Sequence, residues 1–297
     1  MNPLTIGYFA DGPWSHRALE KLILDSTIRI AFICARHDRP DPVLKEQAEI
    51  HRIEFLTHPR INSDAFLEKI GRRGCDLFVS MSFNQIFGRR LIEHSRLQTI
   101  NCHAGKLPFY RGRNVLNWAL INDEKEFGVT VHYVDEGIDT GDILAQRIFP
   151  ITDRDDYATL LERAYPACAE LLYETIKQLQ AGRASRAAQS EKHALGFYCT
   201  ARSEGDERLS WNQPSRDVFN FVRAICRPGP EARTFRGDAE IRINRVELLP
   251  EAPVFKGIPG AVVGVGPGSF LVKTADSYVK VVEWSGVERI RIGDRLK

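Results

Sequence analysis

The sequence predicts an α/β fold in which a Rossmann-like, mostly parallel sheet carries helices on both faces and is followed by a small β-barrel domain. Short apolar strands alternate with amphipathic helices through the first half of the 297 residues, a pattern typical of parallel sheets. The last third instead contains short alternating strands separated by Gly and Pro turns. No G-x-G-x-x-G motif follows the first strand, so a dinucleotide-binding function has little support. At this length we expect two domains.

The strands and helices of the first half bring one pair of polar residues to a sheet edge. The predicted strands are residues 4–9, 28–34, 54–56, 76–81 and 99–102, and the predicted helices are residues 14–24, 41–51 and 63–70. Ligands of such a sheet bind beyond the carboxyl ends of its strands. Asn101 and His103 lie at one of these ends, and because they are two residues apart on an extended chain, their side chains share one face.

The second half begins with a long amphipathic helical pattern at residues 155–179, which Pro166 is predicted to interrupt. Residues 182–205 are polar, rich in small side chains and without clear periodicity, so they read as a linker. The pattern then predicts one helix and four strands, at residues 217–224, 240–248, 260–265, 269–274 and 279–284. The glycines at 264, 266 and 268 indicate a hairpin turn.

The composition is ordinary for a soluble globular protein, and its mildly basic charge fits a small anionic substrate at least as well as a nucleic acid. The chain is 43% hydrophobic and 27% charged, with a formal net charge of +2, and lacks the dense Lys/Arg patches of nucleic-acid-binding domains. No apolar run approaches the ~20 residues of a membrane span. The N-terminus lacks the features of a signal peptide, so we expect a cytoplasmic protein. The six cysteines are scattered without a C-x-x-C pair, which argues against a zinc site and against a disulfide framework.

The most informative motif joins the strand that ends in Asn101-Cys102-His103 to an acidic loop with the sequence DEGIDTG, residues 135–141. Asp139 of this loop lies 36 residues after His103. The stretch from residue 101 to residue 146 resembles the signature of the folate-dependent formyltransferases. The sequence ERLSWNQPSRDVFNF, which begins at residue 207, and a later Gly-Ile-Pro-Gly turn are similar to the OB-like C-terminal domain of several members of that family.

The resemblance implies a domain division and a reaction. It implies a formyltransferase catalytic domain at residues 1–195, a linker at residues 196–206 and a C-terminal OB-like domain at residues 207–297. The formyl donor would be 10-formyltetrahydrofolate, and the reaction would be direct acyl transfer to an amine through a tetrahedral intermediate. The C-terminal domain would either supply a homodimer interface or brace the catalytic domain.

Three residues fit the chemistry of formyl transfer. The His103 imidazole can accept and return a proton near neutral pH. The Asp139 carboxylate can orient that ring or its bound water and stabilise the protonated ring, while the Asn101 amide can donate to the developing oxyanion. Members of the family assign these roles to the matching positions. Each residue alone would read as an ordinary turn or cap residue, so the prediction depends on the combined motif. His132 in the G-x-T-x-H element receives a supporting role.

Further residues are assigned to the two substrates. The resemblance implies that two backbone segments enclose the pterin ring of the donor: Gln85, Ile86 and Phe87, and Asp135, Glu136, Gly137 and Ile138. The loop at residues 105–112 and the residues after it supply the predicted acceptor-binding side chains: Lys106, Tyr110, Arg113 and Trp118. An arginine can bind a phosphate or carboxylate bidentately, and Arg113 is preferred to Arg111 because it matches a position near the reaction centre of sugar-modifying relatives. Ile86 and Phe87 also suit a purely structural role.

The acceptor is predicted to be a nucleotide-linked amino sugar. Residues 110–113 and 116–118 (YRGR and LNW) resemble the loop of enzymes that formylate UDP- or TDP-linked amino sugars for lipopolysaccharide and O-antigen. The alternative is methionyl-tRNA formyltransferase, whose members resemble one another in a basic insertion after the second strand. Here residues 35–47 are short and balance basic with acidic residues, which weakens contact with a phosphate backbone.

A hypothesis from another class is a noncatalytic protein whose barrel binds nucleic acid. Such barrels combine basic residues with stacking aromatic side chains. The basic residues available are Arg233, Arg236, Arg242 and Arg245, but aromatic residues are sparse on that stretch. The sequence therefore disfavours a nucleic-acid partner, and no membrane partner is expected.

Overall fold

The computed structural model describes residues 3–297, which form two compact units interleaved along the chain. The first unit holds the described residues up to Gly112 together with residues 127–149 and 162–198. The second holds residues 113–126, 150–161 and 199–297. The linear division with a linker at residues 196–206 stays a prediction.

The two units contain fourteen strands and eight helices within residues 3–297. The strands are β1 (Leu4–Ala10), β2 (Ile28–Ala35), β3 (Glu54–Thr57), β4 (Leu77–Met81), β5 (Thr99–His103), β6 (Arg111–Gly112), β7 (Glu126–Tyr133), β8 (Ile143–Pro150), β9 (Tyr198–Cys199), β10 (Ala232–Arg236), β11 (Ala239–Glu247), β12 (Val262–Gly266), β13 (Ser269–Lys273) and β14 (Tyr278–Ser285). The helices are α1 (Gly12–Ile23), α2 (Pro42–Ile50), α3 (Asp64–Gly71), α4 (Arg89–Ile92), α5 (Val115–Ile121), α6 (Tyr157–Gln180), α7 (Gln189–Lys192) and α8 (Ser215–Ile225). None of these helices is both long and apolar enough to cross a membrane.

The first unit is built on a seven-stranded sheet in the order β3-β2-β1-β4-β5-β7-β8. β3, β2, β1, β4 and β5 pair in parallel, whereas β7 runs antiparallel to β5. The predicted mostly parallel α/β sheet is therefore confirmed. Phe9, which is completely buried, makes edge contacts with Phe32, Phe78 and Phe87 at ring-centroid distances of 5.5, 5.4 and 5.0 Å. These contacts pack the side chains of β1, β2 and β4 together, beside the strand β5 that carries the site.

One expectation about the second half of the chain is wrong, and one segment contains more secondary structure than its sequence indicates. Helix α6 continues through Pro166 without interruption. Proline removes one backbone hydrogen bond, but Ala164, Cys168 and Leu172 recur at four-residue spacing and are fully buried, so packing of this face maintains the helix. Residues 182–205 are not a featureless linker, because they contain α7 and also β9, which pairs with β6.

The second unit contains an antiparallel sheet in the order β10-β11-β14-β13-β12. The end of the chain bridges its two edges. Phe235 of β10 and Lys297 exchange two backbone hydrogen bonds of 2.9 Å, and the Leu296 N–H donates to the Gly260 carbonyl at 2.8 Å, just before β12. The sheet thus closes into the small OB-like barrel that was predicted, and the predicted hairpin turn joins β12 to β13, with Gly266 opposite Ser269.

Helix α5 belongs to the second unit although it lies early in the chain. The buried Asn117 amide donates a hydrogen bond of 2.6 Å to the Ala224 carbonyl in α8. Arg216 of α8 binds Asp123, just after α5, with 2.8 Å between Nε and Oδ1. These contacts across about 100 residues of sequence join α5 and α8 into one packed layer.

Candidate active site

Strand β5 places polar side chains at the carboxyl edge of the first sheet. In its antiparallel pairing with β7, Asn101 lies opposite His132 and His103 lies opposite Thr130. Residues directly opposite one another on neighbouring strands share a face of the sheet. Asn101, His103 and His132 therefore gather on one side.

Asp139 brings its carboxylate to this group from the loop between β7 and β8. Its Oδ2 lies 3.6 Å from His103 Nδ1 and accepts a hydrogen bond of 2.9 Å from the Gly112 N–H. Its Oδ1 lies 3.4 Å from His132 Nε2 and 3.5 Å from Asn101 Nδ2. The carboxylate is held between two imidazoles, and Asn101, His103 and Asp139 lie together as the sequence predicts.

His103 is oriented by a backbone carbonyl. Its Nε2 lies 2.7 Å from the Tyr110 carbonyl oxygen. Because a carbonyl can only accept, Nε2 carries a hydrogen, and Nδ1, which faces Asp139, is the nitrogen that can take up a second proton. A Cβ at Gly105 would overlap both the Tyr110 carbonyl and the His103 ring, so this close approach requires glycine.

His132 is anchored in a similar way but has less access to solvent. Its Nδ1 donates to the Tyr133 carbonyl at 2.7 Å, so Nε2 can accept from Asn101 Nδ2 at 3.2 Å. His132 is 2% exposed and His103 is 9% exposed. His103 is therefore the better placed ring to exchange a proton with a substrate, and His132 orients the Asn101 amide.

Opposing effects act on the Asp139 carboxyl. Burial raises its pKa, but the neighbouring His103 and His132 rings and the Gly112 N–H lower it more, and the pKa is well below its ordinary value. Asp139 is thus a carboxylate at neutral pH, able to stabilise a protonated imidazole beside it. Among residues 3–297, no cluster of three His, Cys, Asp or Glu side chains could hold a metal ion.

The lowered pKa predicts how Asp139 affects stability at different pH values. Between the lowered folded value and the unfolded value of about 3.9, the unfolded chain binds more protons, so stability rises with pH there. The contribution is complete above the unfolded pKa and is lost as pH falls through the folded pKa. Denaturant unfolding of the wild type and of Asp139→Asn should show a constant difference in unfolding free energy above about pH 5 and a smaller one below about pH 4. A difference that stays constant to the lowest pH would contradict this interpretation.

The first predicted donor segment is braced by hydrogen bonds. The Gln85 amide donates to the His58 carbonyl at 2.8 Å, and its oxygen accepts from the Ile61 N–H at 3.2 Å. Phe87 is buried in the core, whereas Ile86 is 63% exposed. The side chains of Gln85 and Phe87 are therefore structural, and contact with a donor would use the backbone and Ile86.

The second predicted donor segment is a tight loop. The Asp135 carboxylate accepts the Gly137 N–H at 3.1 Å and also binds the Thr140 hydroxyl. Glu136 is exposed, and Ile138 is 51% exposed. Like the first segment, this loop presents a large apolar side chain to solvent.

The residues predicted to bind the acceptor fall into two groups. In the first unit, Lys106 is half-buried over Gly128, and Tyr110 is buried with its ring edge-on to Phe197 at 4.9 Å. Tyr110 therefore contributes its carbonyl to His103, and its side chain supports the loop.

The other two predicted residues, Arg113 and Trp118, belong to the second unit. Arg113 is exposed. The Trp118 indole N–H donates to the Thr200 carbonyl at 2.9 Å, so this polar group is already bonded within the unit. Their role in binding an acceptor stays a prediction.

Arg111 and Gln189 form a buried pair that no sequence pattern reveals. The Arg111 guanidinium donates to Gln189 Oε1 from Nε at 3.1 Å and from Nη2 at 2.7 Å, so Arg111 is not available to a phosphate. The Gln189 amide in turn donates to the Asp139 carbonyl at 2.7 Å. A glutamine among small polar residues carries no periodic signal.

The chain matches two protein-family models. The model described as "Formyl transferase" matches residues 11–176, and the model described as "Formyl transferase, C-terminal domain" matches residues 202–291.

Named relatives and solved structures show similarity over most of the chain. The methionyl-tRNA formyltransferase of Pelobacter propionicus is 32% identical over 269 residues, covering 88% of this chain and 82% of the relative. That of Halalkalibacterium halodurans is 31% identical, covering 99% of this chain and 94% of the relative. The N-formyltransferase structure from Helicobacter canadensis, in complex with folinic acid and dTDP-3-aminofucose, has a TM-score of 0.71 at 18% identity and covers 95% of this chain and 100% of its own.

Proposed function

Because the chain belongs to the formyl transferase family, we propose that it transfers a formyl group from 10-formyltetrahydrofolate to the amino group of a nucleotide-linked amino sugar. The observation that carries the chemistry is the placement of the Asp139 carboxylate against His103 Nδ1 and Asn101 Nδ2. An acid–base group, a charge that stabilises it and an amide donor are the three groups that acyl transfer needs.

The reaction forms a bond between the acceptor nitrogen and the formyl carbon and breaks the bond from that carbon to the folate nitrogen. His103 Nδ1 accepts the proton that the attacking amine loses and returns a proton to the departing nitrogen. Asp139 stabilises the imidazole while it is protonated. Asn101 keeps one N–H on His132 and turns the other from its 3.5 Å contact with Asp139 to the formyl oxygen as that oxygen gains negative charge.

The two predicted donor segments fit a flat, largely apolar ring with polar edges. Ile86 and Ile138 offer exposed apolar side chains, and the backbone beside them can bind the ring edge. The donor supplies the formyl carbon when bound. The segments at residues 85–87 and 135–138 would hold it.

Ion pairs of surface arginines favour a small acceptor, such as a nucleotide sugar, over a tRNA. Several arginines on the segments considered for a phosphate backbone are paired with carboxylates: Arg36 with Asp38 (2.6 Å), Arg236 with Asp294 (3.0 Å), Arg242 with Glu240 (2.9 Å) and Arg245 with Glu247 (3.3 Å). Paired charges release fewer counterions from a nucleic acid and bind it more weakly. The same pairing argues against a noncatalytic nucleic-acid-binding protein.

The named relatives favour a second candidate, formylation of methionyl-tRNA. Two of them are 31% and 32% identical to this chain, whereas the sugar-modifying structure is 18% identical and establishes the fold alone. On the comparisons alone the tRNA acceptor has the better support. The sugar acceptor rests on the paired arginines and on the YRGR and LNW stretches of the chain itself.

A direct competition between acceptors tests the proposal. The full chain and 10-formyltetrahydrofolate are incubated with UDP- and dTDP-linked amino sugars and, separately, with methionyl initiator tRNA, and products are identified by mass spectrometry. We expect a formylated sugar nucleotide and no formylmethionyl-tRNA. Turnover of the tRNA without any formylated sugar would reject the sugar acceptor and establish the second candidate.

Arg113→Ala should then raise the KM for the nucleotide sugar by about tenfold, because a lost arginine–phosphate contact is worth roughly 1.4 kcal/mol at an exposed site. The KM for the folate should stay within about twofold. Arg72→Ala, which removes another exposed arginine directly after α3, serves as the matched control. An unchanged KM for the sugar in Arg113→Ala would exclude Arg113 from acceptor binding.

A further inference from the structure

Gln189 uses its whole hydrogen-bonding capacity on the Asp139 loop and on Arg111. The side chain is 3% exposed, and its Nε2 donates to the carbonyls of Asp139 at 2.7 Å and Gly141 at 2.8 Å. Its Oε1 accepts both bonds from Arg111, at 3.1 and 2.7 Å. An amide has two hydrogens and two acceptor sites, so the Gln189 carboxamide is fixed in one orientation.

The loop needs such support because Asp139 adopts an uncommon backbone conformation. Its φ is +53°, in the left-handed region that costs free energy for most residues other than glycine. The Asp139 carboxylate is held separately by the Gly112 N–H at 2.9 Å, and Gly112 follows Arg111 directly. Arg111, Gly112 and Gln189 thus hold both the main chain and the side chain of Asp139.

From these contacts we infer that Gln189 is a positioning residue for formyl transfer, which keeps the Asp139 carboxylate between His103 and His132, and that Arg111 orients Gln189. The inference rests on the proposed function in one respect, since it takes Asp139 as the carboxylate that assists His103. It does not depend on which amine accepts the formyl group. Arg111 is itself tied down, because its Nη1 donates to the Leu195 carbonyl at 3.1 Å.

The test replaces Gln189 by Glu. Glutamate has the same shape and keeps the pairing with Arg111, but it presents oxygen instead of N–H to the two loop carbonyls. We expect kcat to fall by about 100-fold, as is typical when a catalytic group shifts by about 1 Å, while both KM values stay within about threefold. Gln189→Leu, which keeps the volume and lacks every polar contact, gives a second variant should the first fail to fold.

Hydrogen exchange of the Gly112 amide, followed by NMR, shows whether the Asp139 carboxylate still accepts the Gly112 N–H. The measurement needs no amine substrate. Exchange at Gly112 should become faster in Gln189→Glu, as in Asp139→Ala. The matched control is Gln180→Glu, because Gln180 also donates to a carbonyl, that of Thr27 at 3.0 Å, and accepts from Lys177 at 2.8 Å. That variant should keep both kcat and Gly112 exchange.

Two results would overturn the inference: a folded Gln189 variant with a wild-type kcat, or a loss of kcat without faster exchange at Gly112. Failure of the proposed function would look different. In that case the wild type would formylate none of the sugar acceptors, while the exchange experiment would still show whether Gln189 positions Asp139.

Discussion

Asp139→Asn is expected to lower kcat by about 10³-fold while leaving the chain folded. An asparagine at this position has the same shape and can still point its side-chain oxygen at the Gly112 N–H, so the hydrogen bond that anchors the side chain survives. What disappears is the negative charge 3.6 Å from His103 Nδ1. Without that charge the protonated imidazole is less stable, and proton removal from the amine becomes slower.

Steady-state kinetics with saturating donor and acceptor measure this effect, and thermal unfolding checks that the variant is folded. The matched control is Asp142→Asn. Asp142 lies in the same loop but pairs with Arg186, at 2.6 Å, and not with a histidine of the site. We expect it to retain kcat within about threefold. Similar losses of kcat in both variants would mean that the loop tolerates no change of charge. That result would contradict a specific role for Asp139.

The parts of this site that sequence can predict depend on short-range geometry. The two-residue spacing of Asn101 and His103 on an apolar strand is enough to place both side chains on one face, whatever surrounds them. Asp139 is different, because no local rule joins residue 139 to residue 103. Its assignment came from the resemblance of the whole stretch to a known family, and the observed contact between the two residues agrees with it.

His132 and Gln189 show where sequence-based prediction ends. His132 meets Asn101 because β7 pairs with β5 in one particular antiparallel register, and a shift by one residue would turn His132 to the other face. Gln189 lies in a segment without periodicity, and its buried position depends on Arg111, 78 residues away. Neither register nor long-range polar pairing is encoded in hydrophobic periodicity.

The two arginines of the acceptor loop illustrate the same limit in chemical terms. By side-chain chemistry alone Arg111 and Arg113 are equally suited to bind an anion, and only the family resemblance favours Arg113. In the folded chain Arg111 is 7% exposed and bound to Gln189, whereas Arg113 is exposed. Tertiary contacts, which the local sequence does not specify, decide which of two identical side chains remains available to a ligand.

His103→Gln is expected to lower kcat by about 10³-fold, and the corresponding change at His132 should have a much smaller effect. Glutamine places its amide nitrogen near the position of Nε2, so it can still donate to the Tyr110 carbonyl that anchors the ring at 2.7 Å. It has no group that takes up a proton near neutral pH. The loss should therefore appear in kcat, with the KM for the donor within about threefold.

The variant His132→Asn tests whether His132 carries the proton or only orients the Asn101 amide. Asparagine places its amide nitrogen near the position of Nδ1, so it can keep the bond to the Tyr133 carbonyl while it releases the Asn101 amide. If His103 carries the proton, His132→Asn should lose only about tenfold in kcat, through poorer orientation of Asn101. A larger loss at His132 than at His103, with both variants folded, would reverse the assignment and make His132 Nε2, 3.4 Å from Asp139, the proton carrier.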